Sequence, residues 1–154
     1  MKKHPTPGYL IWRLATKWGA LLDRVLAPFG LTQAQFSVLG TLYGISKGGG
    51  QPSQRELSDH TGLDPVFVSK LVRTLEGNGL VRRSTDPADS RAVRLALTDN
   101  GTEVVQAAGE RVMALQEQLA APLGGPESEQ TRAFVATLTT LLEAPPPQDP
   151  GRSA

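Results

Sequence analysis

Apolar residues recur along this chain at helical spacing in several stretches and at alternate positions in one. Leu10, Leu14, Trp18, Leu21 and Val25 form the first stripe. Thr6-Pro7 ahead of them predicts an N-cap followed by proline at the first helical position. Tyr9 and Trp12 fall on the opposite side of the same helix, beside the small residues Thr16 and Gly19. Aromatic side chains on a second face ask for a second packing partner, and a second copy of the chain is the economical one. The helix is expected to stop near Pro28-Phe29-Gly30. Thr32 and Gln35 then read as a capping box opening a second helix, with Phe36, Leu39 and Tyr43 inward. Lys47 to Pro52 contains three consecutive glycines and reads as a flexible loop.

The stretch 53–98 holds the densest pattern. Ser53 and Glu56 form another capping box, opening a short helix that ends near Thr61-Gly62. Asp64-Pro65 opens the next, whose Val68, Leu71, Val72 and Leu75 make a compact inward stripe; Gly77-Asn78-Gly79 ends it. Leu80 to Ser84 predicts a strand, and Ala92 to Leu97, with Val93, Leu95 and Leu97 on one face, its partner. Thr85 to Arg91 lies between them as a turn-rich tip that ends on Arg91. Thr98 caps a helix of about 22 residues, or about 33 Å. Its Val105, Ala108, Val112, Leu115 and Leu119 have the heptad-like spacing of a helix packed on another helix. Pro122 to Pro126 breaks it. A last helix, 127–143, carries Phe134, Leu138, Leu141 and Leu142, and the proline-rich tail 144–154 is expected to be disordered.

The order helix, turn, helix, hairpin is that of a winged helix-turn-helix. The fold class expected is therefore mainly α with a small β-hairpin wing, in one domain of 154 residues. Composition narrows the chemistry. There is no cysteine, which excludes disulfides, thiolate metal sites and thiol redox switches. The two histidines, His4 and His60, are far apart, so no metal and no cofactor is expected. No apolar run approaches the length of a membrane span, and the N-terminus lacks the apolar core of a signal peptide, so a cytoplasmic protein is expected. No phosphate-cradling loop and no nucleophile–base spacing points to an enzyme. The net charge of +1 leaves any nucleic-acid footprint to local clusters of charge.

Two such clusters stand out. At 100° per residue, the helix after Asp64 turns Val66, Lys70 and Arg73 away from its apolar stripe, flanked by Phe67, Ser69 and Thr74. Lys70 and Arg73 can donate to guanine acceptors or phosphates, and Val66 and Phe67 can contact thymine methyls. The same residues also suit an ordinary solvated helix face, although Phe67 needs a use there. In the hairpin, Arg82, Arg83, Arg91 and Arg94 fall within thirteen positions. A narrow hairpin ending in arginine suits the minor groove. Asp86 and Asp89 are read as structural, bonding their own turn backbone or orienting an arginine. A charged hairpin with internal salt bridges is the plainer alternative. The combination is more specific than either part.

These residues resemble the MarR family of bacterial transcriptional regulators over about 8–143. The motifs that carry the resemblance are Gly30-Leu31-Thr32-x-x-Gln35, Glu56-Leu57, Val68-Ser69-Lys70-Leu71-Val72-x-x-Leu75-Glu76 and Gly79-Leu80-Val81. The last and strongest is the wing signature Asp86-Pro87-x-Asp89-x-Arg91, followed by Leu97-Thr98-x-x-Gly101. Ser90 stands where the family often has arginine. The resemblance implies a homodimer built by the terminal helices (6–30 and 99–143), with 32–98 as the winged helix-turn-helix. It implies a double-stranded, pseudo-palindromic DNA operator as partner. Arg91 would enter the minor groove, Ser69, Lys70 and Arg73 the major groove, and Arg55, Arg82 and Arg83 would lie near phosphates. It also implies release from DNA by a small organic effector, often an aromatic or phenolic acid. Tyr9, Trp12, Arg13, Phe36, Tyr43 and His60 are the candidate effector residues, since aromatic side chains with a cation suit such an acid. Most of them serve equally as core or dimer-interface residues. A repressor is the reading this favours; a winged-helix module that binds protein is the alternative.

Overall fold

The computed structural model describes residues 5–145, and for Ser90, Arg91 and Ala92 the backbone alone. His4 and tail residues 146–154 lie outside the described residues. Six α-helices are described: α1 (Pro7–Leu26), α2 (Gln33–Lys47), α3 (Gln54–Thr61), α4 (Pro65–Gly77), α5 (Asp99–Ala120) and α6 (Glu129–Glu143). Strands β1 (Val81–Asp86) and β2 (Asp89–Leu97) form one antiparallel hairpin between α4 and α5.

The chain forms two compact units, one extending to Met113 and one beginning at Ala114. The first contains α1–α4, the hairpin and most of α5. In it α2 is central, packing against α1, α3, α4 and β2. Leu26, Val38, Leu39, Leu42, Leu57, Val68, Val72, Leu75 and Leu95 are the largest of its fully buried side chains among the described residues. All four inward residues expected of α4 are buried. Val105, Ala108 and Val112 of α5 belong to this same core, so that part of the heptad-like stripe is satisfied within the chain. Leu119, at the stripe's end, is exposed.

Local chemistry sets the helix starts. Thr6 accepts from the Tyr9 amide and Pro7 follows it. Both capping boxes are complete: Thr32 with Gln35, and Ser53 with Glu56, each closed by its two reciprocal hydrogen bonds. Asp64 accepts from the Val66 and Phe67 amides. Gly62, at φ 69°, ends α3 in the left-handed conformation that lets α4 start three residues later.

Three expectations are corrected. On α1 the buried residues are Leu22 and Leu26, flanked by the partly buried Trp18 and Val25. Leu10 and Leu14 are exposed, because no described residue of the first unit covers the N-terminal half of this helix. On α2, Leu39 is buried, but Val38 and Leu42 are its companions, and Phe36 and Tyr43 are half-buried. The hairpin tip is shorter than expected. Asp86 pairs with Asp89, leaving Pro87-Ala88 as the turn, and Asp86 Oδ1 accepts from the Ala88 amide at 2.8 Å. The register shifts between Thr85, which pairs with Val93, and Asp86. Residues 90–92 therefore lie in a bulge of β2, and Arg91 sits within the strand. Of the residues read onto one face of β2, Leu95 is buried and Val93 is exposed.

The second unit contains the end of α5 and α6. Ser128 caps α6 by accepting from the Thr131 amide. Thr131 is buried and donates to the Gly125 carbonyl at 2.7 Å. Phe134 and Leu138 are half-buried, and Leu141 and Leu142 are exposed. No helix among the described residues is long and apolar enough to cross a membrane.

Candidate nucleic-acid interface

The outward face of α4 follows from its inward one. With Val68, Leu71, Val72 and Leu75 buried, Val66, Phe67, Lys70, Arg73 and Thr74 are exposed and Ser69 is half-buried. The Thr74 hydroxyl donates to the Lys70 carbonyl. Among the described residues, neither Lys70 nor Arg73 takes part in an ion pair. Both cations are free to meet an outside anion. Val66 is 65% exposed and Phe67 44%, at the amino end of the helix, where Asp64 has satisfied their backbone amides. The face is thus apolar in its first turn and basic one turn later. Arg55 on α3 and Arg82 on β1 are also exposed and form no ion pair among the described residues. The side chain of Arg91 lies outside the described residues.

The two remaining described arginines of the hairpin, Arg83 and Arg94, are engaged by carboxylates of the protein itself. Arg83 Nε lies 3.0 Å from Glu76 Oε2 at the end of α4. That contact is ionic without hydrogen-bond alignment, and Arg83 Nε and Nη2 are buried with no hydrogen-bond partner among the described residues. Arg94 is more fully engaged. Its Nε donates to Asp86 Oδ2 at 2.7 Å, and its Nη1 donates to Glu56 Oε2 at 3.1 Å and to the Gln51 carbonyl at 3.4 Å. The local signal for Arg94 was an arginine in an arginine-rich hairpin. Its partner Glu56 lies 38 residues away, beyond the reach of any periodicity.

Electrostatics follow this geometry. Asp86 is held below the ordinary carboxylate range by the Ala88 amide first and the Arg94 guanidinium next. Glu56 is lowered by the Ser53 amide and hydroxyl, with Arg94 adding to them. Arg94 is raised, chiefly by Asp86. Asp89 ends the hairpin turn on the β2 side.

The candidate effector residues fall into separate places. On α1, the Tyr9 and Trp12 rings lie tilted at 33° to each other with centroids 6.2 Å apart, and the Arg13 guanidinium is 5.9 Å from the Tyr9 ring centre. Phe36 packs against the core. Tyr43 on α2 accepts from Gln106 Nε2 of α5 at 2.7 Å, and Lys47 Nζ lies 4.9 Å from its ring centre. The Gln106 hydrogen bond is the main cause of a lowered Tyr43 pKa, with Lys47 second. His60, exposed on α3, bonds through Nδ1 to the Glu56 carbonyl. No hydrogen bond or ring contact among the described residues joins the α1 cluster to Phe36, Tyr43 or His60. Gln106 and Lys47 were missed from sequence, since each is an ordinary polar residue on a helix face. Among the described residues no cluster of acidic or histidine side chains could hold a metal.

Residues 29–92 match the model of the MarR family. An uncharacterised HTH-type transcriptional regulator of Bacillus subtilis, YdcH, is 37% identical over 103 residues, covering 67% of this chain and 70% of that protein. Among solved structures, MepR of Staphylococcus aureus in complex with DNA superposes with a TM-score of 0.81 at 27% identity, over 90% of this chain and 98% of that one. BpsR of Bordetella bronchiseptica, whose DNA binding is regulated by 6-hydroxynicotinic acid, superposes with a TM-score of 0.77 at 25% identity, over 94% and 99%.

Proposed function

The chain belongs to the MarR family of transcriptional regulators, and from that premise we propose that it is a homodimeric, sequence-specific repressor released from DNA by a small organic ligand. The carrying observation is the exposed face of α4: two unpaired cations one turn beyond two exposed apolar side chains, on the helix that follows a capped helix and a three-residue turn. That face suits a major groove, where cations meet guanine or phosphate and apolar groups meet thymine methyls. Ser69 and Thr74 flank it. Arg55 and Arg82 are assigned to phosphates, and Arg91 of β2 to the minor groove. MepR binds DNA through the same fold.

A second copy of the chain would cover the exposed Tyr9, Leu10, Ile11, Trp12 and Leu14 of α1, a contiguous apolar surface of the kind monomers rarely leave open. Two winged helices related by a two-fold axis call for a pseudo-palindromic operator. A dimer seated there occludes the DNA, and repression is the simplest result. Such a protein works where the chromosome is, in the cytoplasm. The effector reading draws on BpsR and on the aromatic–cation groupings Tyr9–Trp12–Arg13 and Tyr43–Lys47. An aromatic acid offers a ring and a carboxylate to such a set.

Fluorescence anisotropy tests the reading, using DNA from immediately upstream of this protein's own gene against scrambled DNA of equal length, at two salt concentrations. Preference for the native DNA by about a thousandfold or more supports a specific regulator. Equal, weak and salt-sensitive binding to both argues for non-specific binding. No binding to either at low salt overturns the reading in favour of a protein-interaction module.

A further inference from the structure

One guanidinium ties three parts of the first unit together. Arg94 lies on β2 opposite Ser84. Its Nε reaches Asp86, the last residue of β1, whose other carboxylate oxygen already closes the hairpin turn through the Ala88 amide. Its Nη1 reaches Glu56 in the first turn of α3 and the Gln51 carbonyl in the linker before it. Next to it, the Leu95 amide donates to the Pro52 carbonyl at 2.9 Å, so the linker runs along β2. Glu56 Oε2 also accepts from the Ser53 amide at 2.7 Å, which fixes the carboxylate before Arg94 meets it. A fork with donors pointing in two directions suits two separate carboxylates; a lysine ammonium offers a single centre.

We propose that Arg94 is a positioning residue for DNA binding: it tethers the hairpin to the start of α3 and thereby holds the wing at a fixed setting relative to α4. The hairpin and α4 must meet neighbouring grooves together, so a loose wing pays ordering entropy on binding. The tether is a property of the free protein. Its consequence for DNA rests on the function proposed above.

Three variants of the full chain test this. Arg94→Met keeps the apolar stem and removes the fork. Arg94→Lys keeps the charge. Glu56→Gln preserves the α3 capping box, which accepts glutamine, while discharging the partner. Amide hydrogen exchange in DNA-free protein reads the tether. Exchange over 81–97 is expected to accelerate about fivefold to tenfold in Arg94→Met, and less in Arg94→Lys and Glu56→Gln, with 65–77 unchanged. Unchanged hairpin exchange in both Arg94→Met and Glu56→Gln overturns the tether, as does equal acceleration in α4. The second arm uses the upstream DNA. Arg94→Met is expected to bind about tenfold more weakly, losing hydroxyl-radical protection in the minor groove while guanine N7 protection in the major groove persists. A loosened hairpin with wild-type affinity overturns the positioning role. Failure of the wild type to bind that DNA would count against the proposed function alone, and the exchange result would still decide the tether.

Discussion

Gly101, in the first turn of α5, lies directly against the Leu80 carbonyl: a β-carbon on Gly101 would overlap that oxygen. The contact closes a small knot. The Thr98 amide donates to the same Leu80 carbonyl at 3.1 Å, the Thr98 hydroxyl donates to Gly79 O at 2.7 Å, and the Gly101 amide donates to Thr98 Oγ1 at 2.9 Å. The end of β2 and the start of α5 are thereby pinned to the turn after α4. Because the obstacle is backbone, no side chain can move aside. Gly101→Ala is expected to destabilise the protein by about 2–3 kcal/mol, the range of an overpacked core site. Urea unfolding followed by circular dichroism checks this; a loss below about 0.5 kcal/mol would show that α5 can shift freely.

That knot also marks how far the sequence could be read. Leu97-Thr98-x-x-Gly101 was visible as a motif, but its reason, a carbonyl 21 residues earlier in the chain, was not. Features set by neighbours within four residues were legible: the two capping boxes, the Asp64-Pro65 start, the buried stripe of α4 and the length of α5. The errors came from tertiary partners. Leu10 and Leu14 fit the α1 stripe as well as Leu22 does, yet only the carboxyl-terminal half of α1 meets α2. Asp86 closed the hairpin into a two-residue turn because its side chain replaced backbone as the acceptor. Arg94 read as one arginine of a basic hairpin, and its two carboxylates, on the other strand and on a helix 38 residues away, are invisible to any local pattern.

Phe67 is 44% exposed in the first turn of α4 and takes part in no aromatic or cation–ring contact among the described residues. If it meets thymine methyls, deoxyuridine, which differs from thymidine by that methyl alone, removes the contact and leaves the hydrogen-bonding pattern intact. Phe67→Ala should cost about 1 kcal/mol on thymine-containing upstream DNA, close to the transfer energy of one buried methyl, and nearly nothing once deoxyuridine is substituted. Competition anisotropy on the two DNAs measures the difference. An equal loss on both would assign Phe67 to packing.

Lys70 and Arg73 are exposed and unpaired among the described residues, whereas Arg94 is held by carboxylates. A phosphate contact releases a counterion, so removing one lowers the slope of log affinity against log salt by about one unit. Lys70→Ala and Arg91→Ala are each expected to do this on most sequences. Arg73→Ala, as a base contact, is expected to cost about 1–3 kcal/mol at one operator position only. A salt titration over a set of single-base operator variants separates the two behaviours. A slope that stays the same in Arg91→Ala would remove that residue from the DNA contact.

Acid should release the tether in a defined window. Glu56 and Asp86 both have folded pKa values below their unfolded ones, through the Ser53 and Ala88 amides first and Arg94 second. A depressed carboxylate contributes stability above its unfolded pKa and loses it as pH falls through the folded pKa. The stability gap between wild type and Glu56→Gln should therefore be flat through neutral pH. It should shrink only below about pH 4, where free carboxylates protonate. Thermal melts across that range test the sign; a gap that widens on acidification would contradict it.

Tyr43 gives the clearest spectroscopic handle on the α2–α5 contact. Gln106 Nε2 donates to its phenolic oxygen, and Lys47 adds a cation at the ring. Both favour phenolate, which accounts for the lowered pKa, and the larger cause is the hydrogen bond. The chain has two tyrosines, so a Tyr9→Phe background leaves the phenolate ultraviolet signal to Tyr43. Gln106→Leu is expected to move the Tyr43 transition upward toward the ordinary tyrosine value near 10, and Lys47→Met to move it less. A bound aromatic carboxylate near Lys47 would compete for that cation and raise the Tyr43 transition as well. Salicylate, added to the Tyr9→Phe protein at constant ionic strength, is the probe. A Tyr43 transition that moves with salicylate but not with chloride supports an effector at α2, whereas an unmoved one places any effector away from Lys47.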